Sequence, residues 1–289
     1  MKGILLAGGR GTRLNPITRA VSKQLVPIYD KPLIYYSLST LMLAAVRDVM
    51  IVTTPEDQQQ FRALLGDGSQ LGMRFHYVAQ RSPDGIAQAF LLDRDYLRGE
   101  RVALVLGDTF LYAEQLPKTL RRAVESGAGA TVFASRVRDP ERYGVVTFDS
   151  EDRPVALEEK PANPTSNWAV TGVYFYDERA CDFAASLAPS ARGELEITDL
   201  NRLYLARGEL VVERLGRGTT WFDSGTPDAM LRAANFVQAL EERQALKIAC
   251  IEEIAWRMGW ISVDELARLG HAQRNSAYGR YIARLCVEG

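Results

Sequence analysis

Short runs of aliphatic and β-branched residues recur from the start of the chain, at 3–6, 49–53, 73–78 and 102–106, each of strand length. Between them, 33–45, 56–65 and 86–97 place apolar residues at helical spacing. Strand and helix therefore alternate. That alternation predicts an α/β fold with a mainly parallel central sheet covered by helices, and ligand groups on loops beyond the carboxyl ends of the strands.

A second rhythm begins near residue 130. Closely spaced runs at 130–135, 144–148, 155–157 and 169–176 predict further strands, including antiparallel pairs. Helical patterns at 178–187 and 198–207 follow, then strands at 210–215 and 219–222. With no long Pro/Gly/Ser linker before it, this region completes the first fold. Past Thr226-Pro227, a suitable helix start, the pattern is almost wholly helical: 228–243, 251–258, 263–269 and 277–285. The expected organisation is a core over 1–227 and a helical region over 228–289, packed on the core or on another subunit. There is no fixed-period repeat.

Composition narrows the function classes. With 289 residues, 47% of them apolar, the chain can bury a large core. Its 35 basic and 36 acidic side chains leave a net charge of −1, which gives no support to nonspecific nucleic-acid binding. Nothing approaches a membrane span, and a Gly-rich stretch opens too soon after Met1 for a signal peptide, so cytoplasmic residence is expected. Three scattered cysteines suggest neither a disulfide framework nor a zinc site, and two histidines cannot make a histidine cluster.

The strongest local signal is Leu6-Ala7-Gly8-Gly9-Arg10-Gly11-Thr12-Arg13-Leu14, directly after the first predicted strand. Glycines let several backbone amides approach phosphate oxygens, and Arg13 adds a fork of charged donors. Lys2, Arg10, Arg13, Arg19 and Lys23 all precede the first acidic residue, Asp30, a local excess that favours an anionic ligand. No Lys-Ser/Thr pair closes a Walker loop, and the third glycine of a dinucleotide fingerprint is missing.

This stretch, with Ser22-Lys23-Gln24-Leu25-Val26-Pro27 and Asp30-Lys31-Pro32, resembles the sugar-nucleotide pyrophosphorylases, most closely the bacterial glucose-1-phosphate thymidylyltransferases. The resemblance runs through Tyr35-Tyr36-Ser37, Pro83-Asp84-Gly85-Ile86-Ala87-Gln88-Ala89, Leu106-Gly107-Asp108, Arg142-Tyr143-Gly144-Val145-Val146, Glu158-Glu159-Lys160-Pro161, Arg192-Gly193-Glu194-Leu195-Glu196 and Trp221-Phe222-Asp223-Ser224-Gly225, so it covers essentially the whole chain. It implies a Rossmann-like nucleotidyltransferase core with inserted sugar-binding β structure and C-terminal helices. The implied reaction joins deoxythymidine triphosphate (dTTP) and α-D-glucose 1-phosphate to give dTDP-glucose and pyrophosphate, with Mg2+ as cofactor. A homotetramer and a second site for an inhibitory dTDP-sugar are also implied.

By motif match, Gly8, Gly11, Thr12 and Arg13 are expected around the triphosphate, with Gln24 also on the nucleotide and Lys23 across the reacting phosphates. Gln80 and Gly85 match base-recognition positions, Asp108 and Asp223 the two magnesium carboxylates, and Tyr143, Gly144, Glu159 and Val170 the sugar site. Lys160 matches the lysine on the sugar phosphate, and Glu194 is a weaker sugar-site candidate. Arg10, Thr109 and Ser37 depart from the family pattern, where a small residue, asparagine and proline are usual.

The chemistry suits these residue types. A sugar-phosphate oxygen is already anionic near neutral pH, so attack on the α-phosphorus needs charge neutralisation and alignment rather than a strong base. Taken singly, Asp108 or Asp223 is a capping or solvated carboxylate, Lys160 and Glu159 a surface pair, Tyr143 and Trp221 core packing, Gln80 a turn cap and Gly85 a backbone requirement. Two other functions remain open: a uridylyltransferase, alone or with dual nucleotide use, and a catalytically silent nucleotide-sugar sensor.

Overall fold

The computed structural model describes residues 1–9 and 11–288. The chain starts with β1 (Lys2–Ala7), a short hairpin of β2 (Pro27–Ile28) and β3 (Lys31–Pro32), and α1 (Leu33–Leu43). It continues through β4 (Asp48–Thr53), α2 (Gln58–Leu65), β5 (Arg74–Ala79), α3 (Arg94–Leu97) and β6 (Val102–Leu106). These four longer strands are parallel and lie in the order β6-β1-β4-β5, with Leu5 opposite both Val105 and Ile51. Neighbouring residues of β1 feed opposite cores: Leu5 packs with Ile34, Leu38 and Leu41 of α1, whereas Ile4 packs with Phe90 and Leu97. Burial on both faces explains why the predicted strands read as continuous apolar runs.

β7 (Thr109–Tyr112), α4 (Leu116–Glu125), β8 (Ala130–Arg136), β9 (Gly144–Phe148), β10 (Pro154–Glu159) and β11 (Trp168–Tyr176) follow. Strand β11 is where the sheet divides. Its Val173–Tyr176 end runs antiparallel to β6, its Trp168 end pairs with β9, and β8 follows its other edge with a register break between Val170 and Tyr174. Gly172 sits in that break at φ +83°, a conformation that favours glycine. The split gives the molecule a parallel-sheet half and a β9–β10 half that share one strand.

After α5 (Ala180–Ala185) and α6 (Ile197–Leu205), β12 (Leu210–Arg214) adds to β8 in parallel, and β13 (Thr220–Asp223) pairs antiparallel with β7 as a separate ribbon. α7 (Pro227–Gln244), capped by Thr226, packs Met230, Ala233 and Val237 against Leu14, Tyr36 and Phe110. α8 (Ile251–Arg257), α9 (Val263–Ala272) and α10 (Ala277–Glu288) place Ile251, Ala255, Leu266 and Ile282 in the same core as α1. Among the described residues no helix is long and apolar enough to cross a membrane.

Two regions differ from the expectations. The predicted helix over 86–97 is a 3-10 turn (Ala87–Leu91) followed by the single turn of α3, which Asp93 starts afresh by accepting a hydrogen bond from the Tyr96 amide at 3.1 Å. Residues 109–125, given no element from sequence, form β7 and α4. α4 buries Leu116, Leu120 and Ala123, a helical spacing that was present in the sequence.

Candidate active site

The Gly-rich loop leaves β1 at Ala7. Gly11 takes a left-handed conformation (φ 59°), and its carbonyl accepts hydrogen bonds from the Leu14 amide and the Thr18 hydroxyl, both at 2.8 Å. A side chain on Gly11 would also meet Lys23 Cβ at 3.1 Å, so the lysine packs directly beneath the loop. Lys23 is buried, and its ammonium donates to Asp108 Oδ2 at 2.5 Å. Gln24 is buried beside Gly107, where a Cβ would stand 3.0 Å from Gln24 Cγ, and its Oε1 accepts from Ser22 Oγ. Thr12 and Gly9 line a neighbouring cleft with Arg19 and Asp57. Arg10 lies outside the described residues.

Asp108 and Asp223 are far apart in sequence, yet their strands pair: Asp223 is the register partner of Thr109 in the β7–β13 ribbon, and the Ser224 amide faces the Asp108 carbonyl. Gly225 keeps space beside them, since a Cβ there would stand 3.0 Å from Asp223 Oδ1 and 3.1 Å from Arg13 Nη2. Arg142 donates to Asp223 Oδ2 at 3.2 Å. Even so, burial, followed by the like charge of Asp108, raises the Asp223 carboxyl above the usual carboxylate range against the opposing pull of Lys23, Arg13 and Arg142.

The departures at Ser37 and Thr109 meet here. Ser37 Oγ donates to the Thr109 carbonyl at 2.9 Å, and Thr109 Oγ1 donates to the Thr171 carbonyl at 3.1 Å, beside the bulge at Gly172. The hydroxyls tie α1, the strand after Asp108 and the dividing strand together.

Beyond the carboxylates, Tyr143, Gly144, Glu159, Lys160 and Val170 line one cleft with Arg13, Asp108 and Asp223. Gly144 and Glu159 are register partners of β9 and β10, and Thr198 Oγ1 donates to Glu159 Oε2 at 2.6 Å. Lys160 has φ 44°, and its ammonium lies 3.5 Å from Glu159. The Tyr143 and Trp221 rings pack at 5.0 Å. A smaller cleft holds Gly8, Gln80, Gly85 and Glu194 and shares Ile86 with the first. Gly85 has φ 110° and sits against Leu195, where a Cβ would stand 2.3 Å from the carbonyl oxygen.

Arg142, Thr198, Ile86 and Thr171 also line the main cleft but were given no role from sequence, although Arg142 and Ile86 lie within the quoted motifs and Thr198 lies just beyond one. Their neighbours in sequence were the only signal.

Residues 2–239 match the family model described as nucleotidyl transferase. A glucose-1-phosphate thymidylyltransferase of Neisseria meningitidis serogroup A is 55% identical over 285 residues, covering 99% of each chain. One from Mycolicibacterium smegmatis is 52% identical, again over 99% of each. A Bacillus anthracis crystal structure, provisionally assigned as a glucose-1-phosphate thymidylyltransferase and holding sucrose, superposes with a TM-score of 0.75 at 39% identity, covering 82% of this chain and 94% of that one. A UDP-glucose pyrophosphorylase bound to UDP-glucose shares the fold at a TM-score of 0.73 and 23% identity, over 82% of this chain and 98% of that one. The Gly-rich loop, paired aspartates and adjoining cleft thus stand on a fold and sequence shared over nearly the full chain, which belongs to the nucleotidyl transferase family and, within it, to the glucose-1-phosphate thymidylyltransferases.

Proposed function

We propose that the protein transfers the dTMP unit of dTTP to α-D-glucose 1-phosphate, giving dTDP-glucose and pyrophosphate. The observation that carries this reading is the position of Asp108 and Asp223, between the phosphate loop with Arg13 and Lys23 on one side and the cleft of Tyr143, Gly144, Glu159, Lys160 and Val170 on the other. A phosphate oxygen of the sugar phosphate attacks the α-phosphorus, and the bond to the β-phosphate oxygen breaks. Lys160 holds the incoming phosphate, Arg13 and Lys23 offset charge on the triphosphate, and the amides around Gly8, Gly11 and Thr12 orient it. Gln24 contacts the nucleotide, Gln80 and Gly85 hold the base, and Glu159, oriented by Thr198, accepts from sugar hydroxyls. Glu194 borders the base cleft rather than the sugar cleft.

Asp108 and Asp223 fit a magnesium ion: both are hard oxygen donors, and the Asp223 carboxyl, raised first by burial and then by the like charge of Asp108, would have that repulsion relieved by a divalent cation. The pair does not form part of a larger group, since among the described residues no three His, Cys, Asp or Glu side chains cluster as metal ligands. When bound, magnesium supplies Lewis-acid stabilisation of charge on the reacting phosphates.

Pyrophosphate release measured across nucleoside triphosphates and sugar 1-phosphates, with magnesium and then with chelator, tests the assignment. Preference for UTP would replace the thymidylyl reading with the uridylyl one, and nucleotide binding without pyrophosphate from any pairing would make the protein a sensor. We further assign 1–227 to catalysis and 228–289 to assembly as a homotetramer, in the cytoplasm, with a dTDP-sugar inhibitor at a second site. Solution mass checks the tetramer, and inhibition by dTDP-rhamnose checks the second site.

A further inference from the structure

The amide of Gln80 could face the base cleft in either sense, with its oxygen or its nitrogen forward. A line of hydrogen bonds behind it settles which. Gln80 Nε2 donates to Gln88 Oε1 at 2.6 Å, and Gln88 Nε2 donates to Asp84 Oδ2 at 2.8 Å. Asp84 is itself held in place: Ser82 Oγ donates to its other oxygen, and its carbonyl accepts from the Leu195 amide at 2.7 Å. An ionised carboxylate only accepts hydrogen bonds, so it requires the NH2 group of Gln88 to face it. Gln88 must then turn its oxygen to Gln80, and Gln80 must turn its NH2 backwards to Gln88. That leaves Gln80 Oε1 without a partner among the described residues, next to Gly8 at the wall of the cleft, where a Cβ would stand 2.7 Å away.

We propose that Asp84 and Gln88 are positioning residues that fix the polarity of the Gln80 amide, and thereby make the base subsite select an imide ring over cytosine. Thymine and uracil carry an N–H at ring position 3, which donates to Gln80 Oε1. Cytosine has a bare lone pair there, and two acceptors would face each other. A site built around a hydrogen bond discriminates strongly against the ring that cannot make it, because the buried amide is left unpaired. Gln80 is buried, so water does not substitute freely.

The inference rests on the nucleotidyl-transfer reading, and the test separates the two. Full-length protein is assayed for pyrophosphate release from dTTP and dCTP with glucose 1-phosphate, and calorimetry compares dTDP with dCDP binding without turnover. Asp84→Asn, an exposed and nearly isosteric change, gives Gln88 a partner that can either donate or accept. The dTTP over dCTP ratio in kcat/KM is expected to fall by about tenfold, through the nucleotide KM, with the KM for glucose 1-phosphate unchanged. Adding Gln88→Glu to that variant restores the ratio, because the new carboxylate at position 88 accepts from both the Gln80 amide and the amide introduced at position 84; a merely structural role predicts no such rescue. If Asp84→Asn and Gln88→Leu both keep the wild-type selectivity in binding, the relay is wrong. If wild type releases no pyrophosphate yet its dTDP over dCDP selectivity falls in Asp84→Asn, the relay stands and the transfer reading fails.

Discussion

The two aspartates of one site should respond to neutralisation with opposite changes in stability. Folding raises the Asp223 carboxyl above its usual range through burial and the nearby charge of Asp108, so the folded state holds that proton more tightly than the unfolded state. Such a group adds stability below its unfolded pKa and loses it as pH rises through the folded one. At pH 7.5 the ionised Asp223 is therefore a net cost, and Asp223→Asn should stabilise the metal-free protein by about 1 kcal/mol, roughly 2 °C in Tm for a chain of this size. The gain should shrink as pH falls and wild-type Asp223 takes up its proton, which the folded state holds more tightly than the unfolded state. Asp108 differs because it accepts directly from buried Lys23 at 2.5 Å. Asp108→Asn weakens the partner of a buried ammonium and should cost about 2 kcal/mol. Both variants should lose about 10³-fold in kcat/KM, equivalent to about 4 kcal/mol of transition-state stabilisation. Melting curves in EDTA from pH 5 to 8, with pyrophosphate release in magnesium, read both effects. A lower Tm for Asp223→Asn at pH 7.5, or a higher one for Asp108→Asn, would refute the electrostatic reasoning; unchanged turnover in either would remove that residue from the metal site.

Lys23→Met should lower kcat by about 10²-fold or more while leaving Asp108 without its ammonium, as shown by single-turnover kinetics at saturating substrate. Gly172→Ala should destabilise by about 2 kcal/mol or more in urea unfolding, because φ is +83° and the new Cβ would stand 2.5 Å from Thr109 Oγ1. Tyr278→Phe removes the hydroxyl that donates to buried Glu252 at 2.5 Å, and should cost about 2 kcal/mol in the same experiment without changing KM for either substrate. Chelation should abolish pyrophosphate release, and added magnesium should restore it.

Much of the fold was legible because burial on both faces writes strands as unbroken apolar runs, and β1, β4 and β6 appear nearly to the residue. The Gly-rich loop was legible for a different reason: its glycines and basic residues are local in sequence, and local chemistry survives without knowledge of long-range contacts. Asp108 and Asp223 could be named by resemblance, but nothing in the linear order says that they meet. Their meeting follows from the pairing of β7 with β13, and β7, only four residues long, gave no signal of its own. The 86–97 helix failed because a local cap at Asp93 interrupted an apolar period that the window read as continuous. By itself, then, the sequence determined the α/β class, the Gly-rich loop with its basic residues and the types of group available. Only the tertiary structure decided which of those groups face one another, how the charge of Asp108 bears on Asp223 and which way the Gln80 amide points, because those depend on contacts between segments far apart in the chain.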